Sequence, residues 1–115
     1  MFNRMYNTAA GTVSIDFRDS GKITGLTVTM NNAAAGVNNW ELSFNSAPQY
    51  ATNDTTGTVA TGQVATGGQF TQHFGPLDIP VEVGERFYLH QSAAGYANCV
   101  VHTDLPTVKA STRRR

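Results

Sequence analysis

Charge is what this sequence has least of. Asp, Glu, Lys and Arg make up 14% of its 115 residues, where about a quarter is usual for a soluble protein. Thr, Asn, Gly and Ala fill the space, so the wet faces of its elements must be built from hydroxyls and amides. Cysteine is nearly missing too, and the single Cys99 excludes an intramolecular disulfide framework. No apolar run approaches the ~20 residues of a membrane helix, so no membrane partner is expected. The segment from Met1 to Gly11 has no apolar centre of the kind a signal peptide uses, and secretion by that route is not expected. Helix formers such as Lys, Glu and Leu are few, and no window spaces its apolar residues at helical period. A single all-β domain follows.

The formal net charge is zero, but its distribution is uneven. Every acidic residue lies between Asp16 and Asp104, a span whose bases are Arg18, Lys22 and Arg86. Arg4 stands near one end, and Lys109, Arg113, Arg114 and Arg115 at the other. An acidic body with basic ends suggests termini made to meet an acidic surface or a nucleic acid. A terminal Arg run that is simply solvated is the competing reading.

Strand period dominates the body. Leu77, Ile79, Val81 and Val83 alternate with polar residues, and Phe87 and Leu89 resume the pattern after Gly84-Glu85. This predicts two antiparallel strands around a tight turn, with Pro80 confined to an edge or bulge. Val13, Ile15 and Phe17 make an earlier strand, and Asp19-Ser20-Gly21 a turn. Leu26, Val28 and Met30 make the next, with Ile23 out of phase and Gly25 marking a bulge. Asn31 to Asn39 reads as a polar loop. Trp40, Leu42 and Phe44 share one face of a strand, with Trp40 the expected core anchor. Thr52 to Gly68 repeats a short Val-Ala-Thr-Gly unit and reads as a mobile loop or a hairpin packed on a neighbour. Gln69 to Phe74 returns to strand character. Tyr96 to His102 is the last strand, expected to pair with the preceding one so that Leu89 faces Cys99. About eight short strands at this spacing predict an antiparallel β-sandwich of jelly-roll type. Residues 11–106 form it, 1–10 are an arm ordered only by a partner, and 107–115 are a basic tail.

Chemistry is sparse. That pairing sends Cys99 inward and His90 and His102 outward, roughly 13 Å apart at strand rise, too far to share a zinc ion. No metal and no other cofactor is expected. Asp16, Glu41 and Glu82 sit singly on wet faces, so no acid–base pair emerges and the chain is not expected to be an enzyme. The Gly-rich segments lack a following Lys and helix, which leaves phosphate cradling unsupported. Asn53-Asp54-Thr55 matches a glycosylation sequon, taken as accidental without a secretory route.

The Leu77-x-Ile79-Pro80-Val81-x-x-Gly84-Glu85-Arg86 segment, the small jelly roll and the Thr/Asn/Gly/Ala richness resemble capsid decoration, or cement, proteins of tailed phages. The resemblance covers Thr12 to Leu105. It implies a homotrimer on the outer surface of a virion, clamping adjacent major capsid subunits, with no catalytic residues. The segregated charge makes Arg4, Arg113, Arg114 and Arg115 candidate docking residues, and Phe2, Met5 and Tyr6 would add apolar contact from the N-terminal arm. Two other readings stay open. One is a receptor- or glycan-binding module of a fibre or tail, with Tyr50, Tyr88 or Tyr96 stacking on sugar rings. The other, in which the Arg tail touches packaged nucleic acid, ranks last, and nucleic acid is not an expected partner.

Overall fold

The computed structural model describes residues 2–50, 52 and 55–104, with Phe2 and Asn3 described by their backbone alone. The strands are β1 (Phe2–Asn7), β2 (Gly11–Asp16), β3 (Gly21–Asn31), β4 (Asn38–Ser43), β5 (Thr58–Val64), β6 (Gln69–Phe74), β7 (Ile79–Val81), β8 (Arg86–Gln91) and β9 (Ala97–Asp104). They form two packed antiparallel sheets. Sheet A has the order β1-β9-β3-β6, with β7 also on β3, and sheet B has the order β2-β8-β4-β5. This is a jelly roll.

The topology is that of one folded ribbon. The chain doubles back between β4 and β5, so β4 pairs β5, β3 pairs β6 and β7, β2 pairs β8, and β1 pairs β9. At each bend from one sheet to the other the two halves stay bonded. Phe17 N donates to Glu85 O at 2.9 Å, while Gly84 N donates to Phe17 O at 2.8 Å. Asn32 N donates to Gly68 O and Gly67 N to Asn32 O, both at 3.0 Å. Gly95 N reaches Thr8 O at 3.2 Å. Paired bends leave few backbone groups for water to satisfy.

Two expected pairings are corrected by this plan. The Gly84-Glu85 turn exists, but β7 lies in sheet A and β8 in sheet B, so they form no hairpin. Asp19-Ser20-Gly21 likewise carries the chain between sheets. β9 pairs β1 and β3, so Leu89 faces Leu42 and Val13 while Cys99 faces Met5 and Val28. Alternation reports which face is buried; strands in opposite sheets bury their faces against each other as readily as ladder neighbours do.

Other expectations hold. Thr24 is the extra residue of a bulge, since Ile23 faces Thr103 and Gly25 faces His102. That insertion brings Ile23 and Leu26, three residues apart, to the same buried side. Pro80 sits on the three-residue strand β7, paired on one side only, to β3. Phe17, Leu26, Val28, Trp40, Leu42, Phe87, Leu89 and Cys99 are buried, with Val13, Ile15 and Phe44 packed against them.

Two segments are more ordered than expected. Residues 2–7 form an edge strand along β9, and Met5 is only 2% exposed. The Val-Ala-Thr-Gly repeat supplies β5, whose Ala60 and Val64 enter the core. Gly62 faces Trp40 across the ladder, and a Cβ there would stand 3.0 Å from the indole ring. The asparagines of the polar loop are buried staples. Asn38 donates to Gln91 Oε1 at 3.0 Å and accepts from Ser92 N and Ala93 N, while Asn32 donates to Val64 O at 2.9 Å.

Candidate functional site

The candidate docking residues divide. Alternation along β1 turns Met5 into the core and Arg4 and Tyr6 to the outside of sheet A. Met5 is therefore removed from the docking set, because a buried side chain has no surface to offer. The backbone of Phe2 pairs with His102, and its side chain lies outside the description. Arg113, Arg114 and Arg115 lie outside the described residues.

Around Arg4 and Tyr6 the register builds two rows across sheet A. Arg4, Val100, Thr27 and His73 are successive ladder partners, and Tyr6, Asn98, Thr29 and Thr71 are the next row. Four strands at about 4.8 Å spacing make this face roughly 14 Å wide. Arg4 is the one formally charged residue in these rows. Tyr6 is 50% exposed and meets Tyr96 edge-on, with ring centroids 5.4 Å apart. Thr29 and Thr71 join their hydroxyls at 3.2 Å.

Thr27 lies between two imidazoles. Its hydroxyl is 3.0 Å from His73 Nδ1 and 3.0 Å from His102 Nε2. One hydroxyl carries one proton, so it donates to one ring and accepts from the other, which couples the two tautomers. The ring centroids are 5.8 Å apart. His102 thus meets His73, a neighbour that the expected pairing of the last two strands did not give it. Among the described residues no group of three or more His, Cys, Asp or Glu is arranged to hold a metal ion.

His90 and Glu41 also depart from expectation. Their strand positions face outward on sheet B, yet His90 is fully buried and Glu41 only 1% exposed. The connection after β4 folds over them. His90 Nε2 donates to Asn45 O at 2.7 Å, which leaves Nδ1 to accept from Thr12 Oγ1 at 2.7 Å. Glu41 Oε1 accepts from Gln49 N at 2.7 Å, and Oε2 accepts from Ser43 Oγ and from Asn45 Nδ2. Glu41 binds this lid through both oxygens, while His90 ties it to β2 through Asn45 O on one side and Thr12 Oγ1 on the other. Tyr50, beside Glu41, has its phenol pKa raised, first by burial and then by the carboxylate's charge. The signal in the sequence was the run of Asn, Ser and Gln after Phe44, donors without a partner of their own.

Two ion pairs stand in solvent elsewhere. Arg86 meets Asp16 at 2.8 Å, and Lys22 meets Asp78 at 2.9 Å, a contact that raises the Lys22 pKa. No protein-family model matches the chain, and no curated protein matches it either.

Proposed function

We propose that this chain is a non-catalytic structural protein of a phage virion. As a homotrimer it decorates the outer capsid surface and bridges neighbouring major capsid subunits. The observation that supports this best is the face of sheet A around Arg4 and Tyr6. It is broad, rich in hydroxyls and aromatic edges, and carries one formal charge in its two central rows. Such a face loses little by being covered, because hydroxyls and imidazoles find partners across an interface while few ions are desolvated. β1 is also a sheet edge, which an assembly can cover.

The test uses surface variants that leave the core untouched. Tyr6→Ala and Arg4→Glu are each expected to lower occupancy on capsids stripped of this protein. The loss is about tenfold for Tyr6, the effect of one aromatic anchor. Wild-type occupancy in both variants, with unchanged unfolding midpoints, would remove this face from the docking surface.

A further inference from the structure

The ribbon leaves one seam of the sandwich open. Sheet A ends at β6 and sheet B ends at β5, and the turn at Ala65–Gly68 carries the chain from one edge to the other. Between the two edges lies a groove of about 500 Å3, within the range of small-molecule sites. One wall is the inward series of β6, Phe70, Gln72 and Phe74. The other is the inward series of β5, where Gly62 offers bare backbone. Trp40 closes the floor, its ring 5.6 Å from Phe70 and 6.1 Å from Phe74.

Two features of this groove have no structural use. Gln72 stands opposite the fully buried Val28, on the core side of its strand, yet it is exposed between two phenylalanines. The Trp40 indole N–H, on a residue 4% exposed, is buried without a hydrogen-bond partner, and it lies beside Gly62. An unpaired buried donor is uncommon and destabilising until an acceptor arrives.

We propose that the seam between β5 and β6 binds a neutral saccharide. No titratable side chain lines it, so a charged ligand would be desolvated without compensation. A purely apolar ligand would leave the indole N–H and the Gln72 amide unpaired. A sugar ring meets all three demands. Its C–H face packs on Phe70 and Phe74, a ring or hydroxyl oxygen accepts from Trp40 Nε1, and a hydroxyl pairs with the donor and acceptor of Gln72. The turn where Gly68 N donates to Ala65 O at 2.8 Å closes one end of the seam, which favours a compact ring over a long extended peptide. The inference stands apart from the docking reading and does not depend on it.

The sequence has one tryptophan, so its indole N–H resonance and emission report on this site alone. The full chain is titrated with neutral oligosaccharides of glucose, galactose, mannose and N-acetylglucosamine, and with oligogalacturonate as an anionic control. A saturable shift of the indole resonance with a neutral sugar is expected, weaker or absent with the anionic one. Gln72→Ala and the isosteric Gln72→Glu should each weaken binding about tenfold or more. Gln72 is exposed, so their unfolding midpoints should match wild type. No shift with any sugar at millimolar concentration would overturn the proposal, as would binding that both variants retain. A shift that follows protein concentration without sugar would overturn it too, by giving the seam to a second copy.

Discussion

Glu41 shows how a single residue can carry more than its sequence position reveals. Its parity on β4 sends it outward; what parity cannot show is that residues 45–49 return to cover it. Once covered, its carboxylate gathers the backbone and side-chain donors of that lid. Glu41→Gln turns one acceptor oxygen into a donor facing donors. It is expected to lower stability by about 1–3 kcal/mol, measured by urea unfolding, and to loosen residues 44–50 in hydrogen exchange. Cys99 was legible, because its neighbours in the alternation are all core residues. Burial pushes its thiol from 9.0 up to about 12. The sign follows from linkage: the unfolded thiol ionises first, so this contribution to stability is full below pH 9 and is lost as pH rises toward 12. At pH 8 the native thiol should resist an alkylating reagent that modifies the urea-unfolded chain quickly.

At the scale of elements, faces were legible and partners were not. Val13, Phe17, Leu42 and Leu89 announce which side of each strand is buried, and Gly25 announces the bulge. Nothing in the period of β7 and β8 tells that the short turn between them crosses from one sheet to the other. β1 was missed for a different reason. Arg4, Met5 and Tyr6 offer one inward apolar residue between two outward ones, too short a record to count as alternation, and its partner β9 is the most distant strand in the chain. β5 was missed because Ala60, Gly62 and Val64 are small, and their smallness is what lets Trp40 lie beneath them. The correction to β1 changes what a truncation would mean. Met5→Ala should destabilise the domain by about 2–5 kcal/mol, read from denaturant midpoints. Removing residues 1–7 should compromise folding itself, whereas a detachable arm would leave the unfolding transition untouched.

For the whole molecule, the proposed trimer makes a direct prediction about mass. Sedimentation at micromolar concentration in physiological salt should show a species three times the 12.3 kDa of one chain. A persistent monomer there would count against a stable trimer in solution. Deleting the residues after Thr107 should flatten the salt dependence of capsid occupancy rather than abolish binding, because exposed Arg–carboxylate pairs contribute only about 0–1 kcal/mol each. Of the N-terminal candidates, Arg4 and Tyr6 lie on the surface, while Met5 belongs to the interior, a difference that charge distribution cannot signal. The folded ribbon also governs when the molecule can exist at all. Of the nine described strands β1 is synthesised first, and its ladder partner, β9, last. No N-terminal fragment can hold sheet A together, since β9 lies between β1 and β3. On the ribosome the growing chain can close its ribbon only from the β4–β5 tip outward, and the first strand waits with Met5 and Tyr6 bare to the cell. Closure of sheet A therefore waits for β9 and falls in the slow range of all-β domains, roughly milliseconds to seconds, and β1 is the segment a chaperone would meet in the interval.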